Sequence, residues 1–424
     1  MKNSLDETRK RLKELLAVNI DYSKETSDEE MQELIDELLV REGRNFPLSL
    51  AEKERLRKEL FHAVRKLDVL QELIDDTDIT EIMINGPEHI YIEKKGRLSR
   101  FELQFESREK LEDVIQQIVA ACNRTVNEAS PIVDARLENG ARVNVVLSPV
   151  ALNGPIVTIR RFPDKPITMR DLAAFGSIPA EVCTWLQKLV EAKYNILISG
   201  GTGSGKTTFL NALSDYIPKE ERIITIEDSA ELQILNSPNL VRLETRNANV
   251  EGCREISIRD LIKTSLRMRP DRIIVGEVRG GEAFDMMQCL NTGHDGSMST
   301  GHANSSKDML SRLENMILMG MDLPLSAIKQ QIASGIDIII HLGRLRDKSR
   351  RVLEIVEVLG IERGEVQIQT LYQFEEEGEG QDGRVLGTLK KKGELTYVEK
   401  LKTAGICTEE FKTERIYTKK PQTE

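Results

Sequence analysis

Apolar positions recur along this chain with changing periods, and each period predicts a different architecture. The front end is helical. Leu5, Leu12, Leu15 and Leu16 form one stripe, Met31, Leu34, Ile35, Leu38 and Leu39 a second, and Leu56, Leu60, Val64 and Leu67 a third. A capping signal accompanies each: Ser4 with Glu7, Ser27 with Glu30, and Ser49 with Glu52. In such a box the Ser hydroxyl accepts from a first-turn amide and the Glu answers the cap's own N–H. One apolar stripe per helix predicts a small bundle over residues 1–68, its charged faces solvated.

From about Asp78 the period falls to two. Glu81–Asn85 and His89–Lys94 flank the turn signal Asn85-Gly86, and Ile132–Leu137 and Arg142–Leu147 flank Asn139-Gly140. Between them Leu111, Val114, Ile115, Ile118 and Val119 line one side of a helix, and Val157, Ile159 and Arg161 alternate in a further strand. Residues 69–165 therefore read as an α+β domain, PAS-like in pattern. Pro163, Pro166 and the polar residues after them predict a linker over 166–175.

Beyond Ile178 strands and helices alternate, which predicts an α/β domain over 176–362 with a mainly parallel, helix-covered sheet. Residues 363–424 read as a strand-rich extension. In it Glu375–Gly383 is expected as an acidic loop and Lys390–Lys392 as a solvated turn. The chain contains no internal repeat.

Composition narrows the function classes. Seventy acidic against sixty basic residues give a net charge of −10, and aromatics are 4%. An acidic chain poor in aromatics lacks the basic surface and stacking platform of a nucleic-acid coat protein. The polar start has no signal-peptide core, and no apolar run approaches a membrane span. Cys122, Cys183, Cys253, Cys289 and Cys407 are far apart and lack metal-ligand spacing, as expected of reduced thiols. A cytoplasmic location is the expectation, with no direct lipid insertion.

The chemistry sits in the middle of the chain. Gly200-Gly201-Thr202-Gly203-Ser204-Gly205-Lys206-Thr207, followed by Thr208, fits the phosphate-loop pattern between an apolar strand and a helix. The glycines let backbone N–H groups curl around a polyphosphate, and the helix aims its positive end at the same charge. Lys206 is placed to reach the β- and γ-phosphates of ATP, and the Thr207 hydroxyl to complete a Mg²⁺ site. Ile273–Glu277 is an apolar strand ending in a carboxylate, with Gly276 where an Asp usually stands. Ile223–Asp228 ends in a second acid pair. Glu277 and Glu227 are rival candidates for orienting the attacking water, and Glu277 and Asp228 for supporting the metal. The segment Gly293–Asn304 holds His294 and His302, expected to sense the γ-phosphate.

Together these motifs resemble the type II/IV secretion ATPases, and among them the CpaF-like motors of tight-adherence (Tad/Flp) pilus assembly. Asp134–Leu137, Gly140–Asn144 and Thr158–Phe162 match as well, so the resemblance covers about residues 65–375. It implies a RecA-like phosphate-loop ATPase domain preceded by an α+β domain and a helical bundle, assembled as a homo-hexamer. It further implies that Arg142 and Arg160, accompanied by Arg136 and Arg161, contact the phosphates, and that Asn85 lies near the adenine. The implied partner is an integral-membrane platform protein of a pilus or secretion system, met at the inner face of the cytoplasmic membrane. The same ATP chemistry would serve a helicase-like nucleic-acid motor or a conjugative DNA-transfer ATPase, and the acidic balance speaks against the helicase.

Overall fold

The computed structural model describes residues 2–20, 24, 26–42, 48–94, 96–122, 124–137, 139–161, 165–246, 254–381 and 383–407. The chain divides into two compact units, Met1–Asp164 and Lys165–Glu424.

In the first unit, α1 (Lys2–Asn19), α2 (Asp28–Glu42) and α3 (Leu50–Arg65) bury Leu12, Leu16, Met31, Ile35, Leu38, Leu39, Leu56 and Leu60 against one another. Ser27 and Ser49 form the expected reciprocal caps with Glu30 and Glu52. Ser4 does not open its helix, because α1 already begins at Lys2. There follow α4 (Val69–Asp75), β1 (Ile79–Asn85), β2 (Ile90–Lys94), β3 (Arg97–Arg100), α5 (Arg108–Ala121), β4 (Ile132–Arg136), β5 (Arg142–Val146) and β6 (Ile156–Arg160). The strands form an antiparallel sheet in the order β3-β2-β1-β6-β5-β4. Ile82, Ile84, Val143, Val145, Val157 and Ile159 pack with the apolar stripe of α5. Strict alternation leaves their neighbours on the other face.

The second unit runs α6 (Met169–Ala174), α7 (Ala180–Glu191), β7 (Ile196–Gly200), α8 (Lys206–Ser214), β8 (Ile223–Glu227) and β9 (Leu240–Glu244). It continues through α9 (Ile258–Ser265), β10 (Arg272–Val278), α10 (Glu282–Asn291), β11 (Met298–His302), α11 (Ser306–Gly320) and α12 (Leu325–Gly335). It closes with β12 (Ile338–Arg344), β13 (Arg350–Glu362), β14 (Glu365–Glu379), β15 (Val385–Lys391) and α13 (Glu399–Thr403). Nine strands form one sheet in the order β15-β14-β13-β12-β7-β11-β10-β8-β9. From β12 to β9 the pairs are parallel, and β12 to β15 continue antiparallel. Ile196, Ile198 and Ile338 pack on α7 and α8, while Leu197, Ile273 and Ile339 pack among the residues of α9 to α12. Burial on both faces explains why these strands read as continuous apolar runs.

Three expectations change. The predicted linker 166–175 holds α6, capped by Thr168, with Met169 and Leu172 buried in the second unit's core. The C-terminal strands, set off as an extension from residue 363, continue the central sheet through β12–β13 pairing. Glu375–Glu379 belong to β14 and Lys390–Lys391 to β15, where Lys390 and Lys392 pair with Glu375 across the ladder. The two charge runs that looked like loops neutralise each other as neighbouring strands. Among the described residues, no helix is long and apolar enough to cross a membrane.

Candidate functional site

Parallel strands end together. Gly200 of β7 stands beside His302 of β11 and Leu342 of β12, and Val275 of β10 beside Ile226 of β8. The phosphate loop, both strand-end acids and His302 therefore converge at the carboxyl edge of the sheet, where open α/β folds bind ligands.

The loop of residues 201–205 is shaped by Gly203 and Gly205, whose φ values of +70° and +92° exclude other residues without strain. Gly205 gives α8 no side-chain cap, whereas Ser or Thr caps α3, α6, α9 and α11. Helices α4, α7, α10, α12 and α13 also lack such a cap, so what marks α8 is the glycine loop in front of it, whose backbone suits an anion. Lys206 is buried, and its Nζ donates to the carbonyls of Gly200 (3.2 Å) and Gly201 (3.0 Å). Burial pulls its pKa down and Glu277 opposes that pull.

A chain of polar contacts leads away from Lys206. Its Nζ lies 3.3 Å from His302 Nδ1, and His302 Nε2 lies 2.8 Å from Glu277 Oε1. Desolvation holds the His302 pKa below its usual value in spite of Glu277. A neutral ring that accepts from Lys206 at Nδ1 carries its proton on Nε2, facing Glu277. Glu277 Oε2 takes Nε and Nη2 of Arg279 at 2.9 and 2.6 Å, and Arg279 Nη1 stands 3.9 Å from Asp228.

Arg279 thus sits between Asp228 and Glu277, the two carboxylates expected to support the metal. Among the described residues no cluster of three or more His, Cys, Asp or Glu side chains has metal-binding geometry. Mg²⁺ draws most ligands from phosphate and water, so the donor set of Thr207 and Glu277 beside a phosphate loop fits it.

Glu227 plays another part from that of Glu277. It is 3% exposed, and its Oε2 accepts from the N–H groups of Glu231 and Leu232 at 2.7 and 2.8 Å. Burial raises its pKa to about 7 against those two amides. One oxygen is committed to the backbone and the other is buried without a partner, which leaves Glu277 as the acid in contact with His302. The absent Asp also has a steric reason: a Cβ on Gly276 would stand 3.0 Å from Glu227 Cγ.

The two histidines separate. His302 ends β11, whereas His294 precedes its start, beyond Met298, which pairs with Ile196 at the opposite end of β7. His294 is therefore not beside the phosphate loop. Its carbonyl accepts from Ser297 Oγ in a turn at the amino edge. A β-strand's length set between two histidines close in sequence accounts for the difference.

Two clefts adjoin the loop. One of about 450 Å³ lies at its start, lined by Gly201, Thr202, His302, Asn304 and Arg312. The other, about 300 Å³, lies at its end, where Ser204 and Thr208 meet Leu172, Phe175, Leu342 and Val352. The second is apolar with a polar edge, as a purine next to phosphates requires. No motif marked Phe175 or Val352, which lie far apart in sequence; the Val352 N–H bond to the Ser177 carbonyl ties their two segments together.

In the first unit, Arg136, Arg142 and Arg160 are register partners across β4, β5 and β6, with Glu81 next in the row. Cross-strand partners share a face, so three guanidinium groups line one end of the uncovered face. Asp134 lies 3.5 Å from Arg142. Arg161 turns elsewhere: its Nη1 donates to the Asp76 carbonyl at 2.5 Å. Asn85, expected near the adenine, ends β1 with its N–H on the His89 carbonyl.

Comparison with known proteins identifies the family. The family model for type II/IV secretion system proteins matches residues 64–388. A Mycobacterium tuberculosis protein named for conjugal transfer is 35% identical over 310 residues, covering 72% of this chain and 87% of the relative. PtlH, a type IV secretion system protein of Bordetella pertussis, is 32% identical over 315 residues, covering 68% and 93%. The solved structure of the Yersinia pseudotuberculosis ATPase DotB shares the fold at a TM-score of 0.50 and 18% identity, covering 69% of this chain and 78% of that one. The chain belongs to the type II/IV secretion system ATPase family.

Proposed function

We propose that this chain is a homo-hexameric motor that hydrolyses MgATP and drives assembly of a Tad/Flp-type pilus or export of a secreted substrate. The observation that carries the reading is the contact chain Lys206–His302–Glu277–Arg279 at the mouth of a phosphate loop whose helix lacks a side-chain cap. In it Lys206 and the loop amides hold the β- and γ-phosphates, and Thr207 and Glu277 hold Mg²⁺, which supplies charge neutralisation at the phosphoryl oxygens. Glu277 orients the attacking water, and His302 registers whether a γ-phosphate stands between it and Lys206. The adenine takes the apolar cleft beside Phe175. The row Arg136, Arg142 and Arg160 of the first unit carries positive charge of the kind that phosphoryl-transfer chemistry calls for. The partner is a platform protein at the inner face of the cytoplasmic membrane.

A second reading, a motor for conjugative transfer, is favoured by the relatives named for conjugal transfer. It uses the same site and differs only in cargo. Replacing Glu277 by Gln tests the site itself. The variant retains nucleotide in a binding titration and loses turnover about 10²-fold or more. Unchanged turnover would remove Glu277 from the mechanism. Stimulation of hydrolysis by single-stranded DNA would move the assignment toward a nucleic-acid motor.

A further inference from the structure

Arg350 opens β13, just after the turn from β12. Its Nε donates to the Gly203 carbonyl of the phosphate loop at 2.9 Å, and its Cδ lies 3.4 Å from where a Cβ on Gly205 would begin. Among the described residues its guanidinium has no carboxylate partner and no other hydrogen bond. Its neighbours are committed. Arg346 pairs with Glu376 and Glu379, and Arg351 donates to the Val385 and Gly387 carbonyls with its guanidinium 5.5 Å from the Phe374 ring centroid.

The turn holding Arg350 is braced from behind. Asp347 accepts from the Ser349 N–H and hydroxyl at 2.9 and 2.6 Å, and from the Val385 N–H of β15 at 2.8 Å. These bonds outweigh burial and keep the Asp347 carboxyl at about 2. The Leu345 N–H closes the turn on the Ser349 carbonyl. Arg350 is therefore positioned by the C-terminal strands before any ligand arrives.

A guanidinium held on a phosphate loop, with its remaining donors open and no counter-charge, is built for an anion. Its place in the cleft says which one. It lines the side with Ser204, Gly205 and Thr208, whereas His302 lines the cleft at the loop's start. We propose that Arg350 binds the α,β-diphosphate common to ATP and ADP, and so ties nucleotide occupancy to the antiparallel extension β13–β15. This rests on the reading that the chain binds ATP, and it adds a residue that no sequence motif marks.

The test titrates the full chain with fluorescent ADP and with fluorescent ATPγS. Arg350→Ala should weaken both nucleotides alike, by about tenfold or more, and Arg350→Lys should recover part of the loss. His302→Ala should weaken ATPγS and leave ADP unchanged. In turnover the Arg350→Ala loss appears in KM, with kcat at saturation kept within about threefold. Unchanged ADP affinity in Arg350→Ala, or a loss confined to ATPγS, overturns the proposal while leaving the ATPase reading intact. Failure of the wild-type chain to bind either nucleotide overturns both. If the Ala variant does not fold, Arg350→Gln decides: it keeps a polar side chain without the charge, and unchanged ADP affinity in it overturns the proposal.

Discussion

Glu227 makes the stability of the second unit depend on pH in a direction opposite to that of a salt-bridged carboxylate. Its folded pKa is about 7, where the ordinary value is 4.5, because burial at the end of β8 disfavours the charged form. Between those values the folded chain holds a proton that the unfolded chain has released. Stability is therefore fully present below about pH 4.5 and falls as pH rises through about 7. At about 1.4 kcal/mol per tenfold change in proton affinity, the difference amounts to roughly 3 kcal/mol. The perturbation is Glu227→Gln, which keeps an acceptor for the Glu231 and Leu232 amides and cannot titrate. Urea unfolding at pH 5 and pH 8 can be followed by fluorescence of Trp185, which packs edge-on to Tyr372 in the second unit, centroids 5.3 Å apart. Other groups titrate in both chains, so the informative quantity is the difference between them. Between pH 5 and pH 8, which spans most but not all of the fall, wild type should lose roughly 2–3 kcal/mol more than the variant. Parallel pH dependence in the two chains would refute the reasoning.

Three further outcomes follow from the placements. His302→Ala should lower kcat by about tenfold or more, whereas His294→Ala, at the opposite end of β7, should leave it within about twofold in a phosphate-release assay. Arg160→Ala should reduce hydrolysis without changing thermal stability. Arg161→Ala should lower the melting temperature of the first unit, since it removes a bond to the Asp76 carbonyl. Lys400, held by Asp337 and Asp295 at 2.7 and 2.8 Å, fastens α13 to the core. Lys400→Met should cost about 3 kcal/mol in urea unfolding by removing the ion pairs that fasten α13.

What the sequence disclosed follows from which interactions are local. Ser27–Glu30 and Ser49–Glu52 cap helices because both partners lie within one turn. Strands β1, β2, β5 and β6 fall within about two residues of their expected places, since turn signals and period-two burial are read over a few positions. The turn of the phosphate loop between β7 and α8 was legible because its shape is set by contiguous residues. What was hidden is non-local. Glu227 and Glu277 end similar apolar strands, and only burial shows that one serves the backbone and the other faces His302. His294 and His302 share a motif, and a strand's length separates them. Arg160 and Arg161 adjoin, yet only Arg160 shares the cross-strand row with Arg136 and Arg142. Lys390–Lys392 reads as a solvated run until β14 supplies the opposing Glu375. Arg350 carries no local signal, since its contact spans from β13 back to Gly203.

On the proposed function, ATP is hydrolysed at the phosphate loop and Lys206 is the indispensable cation. Steady-state phosphate release by the wild-type chain and the Lys206→Ala variant, each with MgATP and each with the metal chelated, tests it directly. Wild type with Mg²⁺ should turn over, and the variant and both chelated samples should show background alone. Phosphate release surviving intact in Lys206→Ala would contradict it.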